Sequence, residues 1–259
     1  MPSSVFCFDF DGVICDSAPE TALAAWQVCG ELWPEFARPM PDPARDRFCL
    51  LRPAMLTGWE AIPMMRLAAT SPMPDERILA EFPAFRDAIM AEHALAPMDL
   101  RRRFGAVRDR MIAQDEEAWV RLNPFYEGMA ELFTQAQRRH EVFVITTKPE
   151  RFASLLLRRR GVEIESGRIF GLERERPKHE ILVELMRQAE LAGRTFYFVE
   201  DRLETLEEVR TNPNLADVRL ILVNWGYNTP AQRKWAAGRG IEVVSRQGLR
   251  AVCLPGESA

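Results

Sequence analysis

Four short runs of apolar, β-prone residues, at positions 5–8, 142–145, 195–199 and 220–223, set the strongest limit on how this chain can fold. Each run is apolar throughout rather than alternating, so each needs cover on both faces. Between the last three lie helical patterns, 151–160 and 178–192, closed by Gly161 and Gly193. A glycine just past the last periodic residue is a helix stop signal. Strands of this kind alternating with amphipathic helices predict an α/β fold, a parallel sheet with helices on both faces. Ile169 and Phe170 are expected to add a short edge segment.

Residues 17–122 read differently. No strand run stands out, and ten of the eighteen prolines fall between Pro34 and Pro97, which breaks the segment into pieces. Helical periodicity is present at 18–32, around 76–95 and around 104–120, with prolines interrupting the intervals. The segment is expected to be an all-helical insertion after the first strand. Residues 123–128 read as the linker back. This gives a core domain from 1–16 and 123–259 and a smaller helical domain over 17–122, which suits a chain of 259 residues.

Composition narrows the function classes. The formal net charge is −4, so nothing points to a nucleic-acid or anionic-membrane surface. No apolar stretch approaches the ~20 residues that cross a bilayer. The N-terminal apolar run is too short for a signal sequence and lacks a basic leader. Five cysteines, an odd number without CxxC spacing, read as reduced packing residues, and a cytoplasmic location is expected. Of 34 basic residues only Lys148, Lys178 and Lys234 are lysine. In an arginine-biased chain, a surviving lysine can mark a place where a compact ammonium fits and a planar guanidinium does not. The clusters Arg101–Arg103 and Arg158–Arg160 read as solvated helix faces.

Ligands of parallel α/β sheets bind beyond the carboxyl ends of the strands. Asp9 and Asp11 follow the first run, Thr146, Thr147 and Lys148 the second, Glu200 and Asp201 the third, and Asn224 to Tyr227 the fourth. Lys178 opens the helix before the third. Gathered carboxylates repel one another unless a cation sits among them. The three histidines are scattered and no cysteine pair exists, so a hard ion such as Mg²⁺ fits better than zinc. A lysine and a hydroxyl beside that ion suit phosphoryl oxygens.

The ordered set resembles the motifs of the haloacid dehalogenase superfamily. Asp9-Phe10-Asp11-Gly12-Val13 is similar to its first motif, Thr146 to its second, Lys178 to its third and Glu200-Asp201 to its fourth. Residues 147–152 and 223–227 resemble segments of its phosphoglycolate-phosphatase-like branch. The likeness runs over 3–15 and 124–249 and reaches the insertion only through position and helical character. It implies a Rossmann-like core with a helical cap inserted between the first and second motifs. Three departures stand out: Thr147 where asparagine is common, Glu200 where glycine often precedes the aspartate, and Thr205 where a second aspartate often follows.

The resemblance implies that Asp9 is a nucleophile forming an aspartyl-phosphate and that Asp11 is the acid and base. It implies that Thr146 and Lys178 hold phosphate. Mg²⁺ is expected on Asp9, Asp201 and the Asp11 carbonyl, with Glu200 acting through a water. The expected activity is Mg²⁺-dependent hydrolysis of a small phosphorylated metabolite, a phosphate monoester. Asp11 argues against dehalogenases and P-type ATPases. The absence of lysine before Lys148 argues against a Schiff-base phosphonate hydrolase. A sugar-phosphate mutase and a catalytically silent binding protein are the alternatives. In the insertion, Arg45, Arg47 and Arg52 are candidates for substrate contact, and Trp26, Trp33 and Trp59 for its core.

Overall fold

The computed structural model describes residues 4–256. The strands β1 (Val5–Phe8), β2 (Glu141–Ile145), β3 (Ile169–Phe170), β4 (Phe196–Glu200), β5 (Arg219–Val223) and β6 (Glu242–Val244) form one sheet in the order β3-β2-β1-β4-β5-β6. All neighbouring pairs are parallel. The four apolar runs are therefore strands, and Ile169-Phe170 pairs at the edge. The other edge, β6, went unread because a three-residue strand that starts on an exposed glutamate carries too little pattern.

β1 lies at the centre, with Val5 opposite Glu141 on one side and Phe196 on the other. All four of its residues are buried. Fully burying side chains of this size contributes about 1.5–3 kcal/mol each. The chain winds from β1 through β2 to β3, then returns to place β4 on the opposite flank of β1. That reversal opens a crevice at the carboxyl ends of β1 and β4.

The chain divides into two compact units, Met1–Asp16 with Phe125–Ala259, and Ser17–Pro124. The crossing back falls two residues later than the sequence suggested. Asn123 is fully buried and donates from Nδ2 to the Trp119 carbonyl at 2.9 Å, which ties it to the helix before it.

The second unit is helical: α1 (Ala18–Leu32), α2 (Asp42–Leu51), α3 (Ala61–Thr70), α4 (Asp75–Glu92), α5 (Pro97–Gln114) and α6 (Glu116–Arg121). Helices α2 and α3 occupy the stretch that its prolines seemed to break. Pro43 and Pro63 sit in the first turns of these helices, where a backbone N–H has no intrahelical partner to lose. Pro83 lies inside α4 and removes one rung of its ladder. The helix expected near 104–120 is two, divided at Asp115, whose side chain caps α6 by accepting from the Ala118 amide at 2.8 Å.

Trp26 and Trp33 are buried in this unit, while Trp59 is half-buried beneath Arg86. Arg47 acts as a clasp within the unit. It donates to Asp75 at 2.7 Å, to the Ser71 carbonyl at 2.6 Å and to the Met73 carbonyl at 2.5 Å. Arg45 pairs with Asp42 and Asp46, and Arg52 donates to the Met55 carbonyl. Deeper in the unit, Arg108 makes a two-pronged contact with the buried Glu20 carboxylate at 2.8 and 2.7 Å. Trp119 Nε1 donates to the same carboxylate at 3.0 Å.

In the first unit the flanking helices are α7 (Met129–Gln137), α8 (Glu150–Arg159), α9 (Lys178–Met186), α10 (Leu203–Arg210), α11 (Pro230–Ala237) and α12 (Arg246–Cys253). Val5, Cys7, Phe143, Ile145 and Phe198 form one core layer with Leu182 and Leu185 of α9 and Leu206 of α10. Phe6 and Phe8 point the other way, where Phe6 stacks on Tyr197 at 4.5 Å and Phe8 meets Phe133 of α7 at 5.5 Å. Period-two alternation of side chains in β1 thus supplies both layers. Helix α9 ends at Met186, earlier than expected, and a short 3₁₀ turn at Ala189–Leu191 carries the chain on to Gly193.

None of the five cysteines is in a disulfide, and burial pushes the thiols of Cys7 and Cys29 well above their usual range and that of Cys253 to about 12. Among the described residues, no helix is long and apolar enough to cross a membrane.

Candidate active site

Asp9 stands one residue beyond β1. Its amide still donates to the Val199 carbonyl of β4 at 2.9 Å, so the last rung of the sheet fixes where its carboxylate projects. The chain then turns sharply, with amides of Ile14 and Cys15 both donating to the Phe10 carbonyl. Gly12 takes φ of +86°, a conformation costly for any residue with a side chain. A Cβ on Gly12 would stand 2.0 Å from Asp201 Oδ2, and one on Gly226 would stand 2.3 Å from Asp201 Cβ. Two glycines therefore let two loops close over one carboxylate.

Glu200 ends β4 and Asp201 follows it, both fully buried. Asp201 Oδ2 accepts from the Tyr227 amide at 2.7 Å, and its carbonyl accepts from Asn228 Nδ2 at 2.9 Å. The loop after β5 thus positions the residue after β4. Glu200 Oε1 accepts from the Arg202 amide at 3.1 Å, and its Oε2 accepts from Lys178 Nζ at 2.8 Å.

Lys178, the first residue of α9, is placed there by Pro177 before it, which directs the chain into the helix. Its ammonium is also 2.8 Å from Asp9 Oδ1. Asp9 Oδ1 is buried with this ammonium beside it and keeps a further lone pair. A buried carboxylate oxygen in that state has unused capacity for a cation.

Asp9, Glu200 and Asp201 present oxygens that all lie within 4.8 Å of one another. Burial first, and then the negative charge of Glu200, push the Asp9 carboxyl up to about 7 against the pull of Lys178. Burial also drives Glu200 up to about 7; Lys178 opposes this and Asp201 adds to it. For Lys178, burial works against its charge, but Asp9 and Glu200 outweigh it and hold the ammonium well above the usual lysine range. One ammonium does not neutralise three buried carboxylates. An all-oxygen, negatively charged set of this kind suits a hard divalent ion such as Mg²⁺.

Thr146 follows β2, and its amide donates to the Phe170 carbonyl at 2.9 Å. Its Oγ1 accepts from the Lys148 amide at 3.1 Å, which leaves the hydroxyl hydrogen to donate elsewhere. Asp9, Lys178, Glu200 and Asp201 are thus in one cluster, and Thr146 lies at the end of the strand next to β1.

Asp11 is held by a residue that the sequence reading did not place in the site. Lys148 Nζ donates to Asp11 Oδ1 at 2.9 Å, and the lysine side chain is completely buried. The available signal was the scarcity of lysine. Two of the three stand on site carboxylates, while Lys234 is exposed at the end of α11.

The family model described as hydrolase, haloacid dehalogenase-like hydrolase, matches residues 4–207. No curated protein matches the chain. Among solved structures, "a predicted phosphatase from Clostridium acetobutylicum" superposes with a TM-score of 0.61 at 17% identity, over 97% of this chain and 98% of that one. "A predicted phosphoglycolate phosphatase from haemophilus somnus 129pt" gives 0.58 at 14% identity, over 97% of each chain. A haloacid dehalogenase-like hydrolase from Streptococcus pneumoniae gives 0.55 at 14% identity, over 96% and 97%. At such identities these likenesses carry the fold.

Proposed function

The chain belongs to the haloacid dehalogenase-like hydrolases, and from that premise we propose that it is a phosphatase acting on a small phosphate monoester through an aspartyl-phosphate. The observation that carries this reading is the buried group of Asp9, Glu200 and Asp201 around Lys178 at the carboxyl ends of β1 and β4. The names borne by the similar structures from Clostridium and Haemophilus point the same way.

In this reading an Asp9 oxygen attacks phosphorus as the ester P–O bond breaks, and the departing oxygen takes the proton of Asp11. Asp11 then accepts a proton from water as the water oxygen bonds phosphorus and the Asp9–phosphorus bond breaks. The products are alcohol and inorganic phosphate, with Asp9 ionised and Asp11 protonated again. Lys178 and the Thr146 hydroxyl hold the phosphoryl oxygens and spread their charge. Mg²⁺ held by Asp9, Asp201 and the Asp11 carbonyl, with Glu200 alongside, would supply counter-charge to the phosphoryl group. Glu200 also holds Lys178 in place. The helical unit, Ser17–Pro124, corresponds by its place in the chain to the cap insertion of the family.

The test is release of inorganic phosphate from a broad panel of phosphate monoesters with Mg²⁺, using Asp9→Asn as the background. No release above that background sinks the reading. Transfer between two positions of one sugar phosphate, with little free phosphate, would make the protein a mutase instead.

A further inference from the structure

We infer that Lys148 is a positioning residue that fixes the Asp11 carboxyl for proton transfer, a role distinct from that of Lys178. The inference rests on the phosphatase reading above.

Every part of Lys148 is tied down. Its amide donates to Thr146 Oγ1 at 3.1 Å and its carbonyl accepts from the Leu172 amide at 3.1 Å. Its ammonium lies 5.8 Å from the centre of the Phe10 ring, the residue between the two aspartates. The side chain has no exposed surface, whereas the Asp11 side chain keeps 18% of its own. The lysine is therefore the more deeply held member of the pair, and the aspartate the one that keeps exposed surface. Immobilising a long side chain and burying its charge is costly. An ammonium kept there only for stability would be an inefficient use of the position, since an apolar residue of similar length would fill the slot.

Geometry separates the two lysines. Lys178 contacts the carboxylates of Asp9 and Glu200, in the cluster where phosphorus would react. Lys148 contacts Asp11, which carries the proton. An acid must sit within hydrogen-bond reach of the atom it protonates, and a flexible carboxylate at a loop tip is seldom there. The buried ammonium removes that freedom. Because the slot is closed, a guanidinium would not fit it, which accounts for a lysine here in a chain that otherwise uses arginine.

The leaving group exposes such a role. A p-nitrophenolate departs without help from an acid, whereas an alkoxide needs the Asp11 proton. In the Lys148→Met enzyme, kcat for an alkyl phosphate should fall by about 10²-fold, the lower range for loss of general acid catalysis. The first-turnover burst of p-nitrophenolate from p-nitrophenyl phosphate should persist within about threefold, ahead of a slow steady state in which water must be activated. Lys148→Arg should not restore the alkyl ester. The double variant Asp11→Asn/Lys148→Met should be no slower than Asp11→Asn alone, because the lysine acts through the aspartate.

A p-nitrophenolate burst slowed as much as kcat for the alkyl ester, or additive losses in the double variant, overturns the inference. A rise in KM shared by both esters with unchanged leaving-group preference also overturns it, making Lys148 a substrate contact. If Lys148→Met does not fold, Lys148→Gln carries the same comparison. Wild-type turnover abolished by Asp9→Asn establishes the underlying reading separately. Its absence removes both proposals, whereas the Lys148 outcomes remove only this one.

Discussion

The helical unit and the carboxyl edge of the sheet both bury charge, and they balance it to different degrees. In the helical unit, Glu20 meets Arg108 through two short bonds, with Trp119 donating a third. One carboxylate faces one guanidinium, and the guanidinium lies 4.1 Å over the Phe104 ring. At the edge of the sheet, three carboxylates crowd within 4.8 Å of one another, and Lys178 contacts two of them. The first cluster is complete as it stands. The second keeps more negative than positive groups, and burial above all, with repulsion between carboxylates adding to it, raises Asp9 and Glu200 to about 7. Saturation marks charge that serves the fold, and surplus marks charge held ready for a ligand.

Substitutions that reverse this pattern would break the comparison. The largest expected effect is on rate. Asp9→Asn should lower phosphate release by about 10⁵-fold or more, as loss of a nucleophile does. Thermal unfolding should show no loss of stability in the same variant, because one carboxylate leaves an over-charged cluster. A marked fall in its melting temperature would place Asp9 with the structural charges. Arg108→Met should behave in the opposite way. It strands Glu20 as a buried unpaired charge and should cost about 3–5 kcal/mol in urea unfolding. A loss below about 1 kcal/mol, the range of an exposed pair, would erase the contrast.

Ligand addition sharpens the comparison further. Saturating Mg²⁺ should stabilise the wild type by about 2–3 kcal/mol at a hundredfold excess over its dissociation constant. Asp201→Asn should abolish most of that gain when melting curves with Mg²⁺ and with chelator are compared. Arg108→Met should keep the gain in full. The smallest effect concerns Arg47, whose bonds go to Asp75 and to backbone carbonyls. Arg47→Ala should cost about 2 kcal/mol of stability, the range for bonds from a charged donor, and leave kcat/KM unchanged. A rise in KM would return Arg47 to the substrate contacts.

The sheet was legible because strands buried on both faces carry an unbroken apolar signal, and the groups at their ends could be read in order. Asp9, Asp11, Thr146, Glu200 and Asp201 stand at strand ends and Lys178 at a helix start, and their roles came only from the resemblance. What failed was short or local. β6 is three residues long, and the prolines of α2 and α3 looked like breakers although they occupy first turns, where they cost no hydrogen bond. Arg47 looked free to bind a ligand because a sequence does not show the carbonyls of the turn between α3 and α4. Lys148 could be flagged as unusual, but its partner is 137 residues away in the chain. No local pattern encodes that pairing.

The central position of β1 also governs the order in which the molecule can be made. The strand is made before its neighbours β2 and β4, which begin only at Glu141 and Phe196. Until they appear, an apolar segment ending in two acidic residues has no sheet to join. Closing those long loops carries an entropic cost and slows folding. Glu20, Arg108 and Trp119 have all been synthesised before β2 begins, so their network can form while β1 waits. The strand that carries Asp9 thus waits unpaired until β2 appears and half-paired until β4 does, and its exposure during that interval is the hazard this topology sets for the nascent chain.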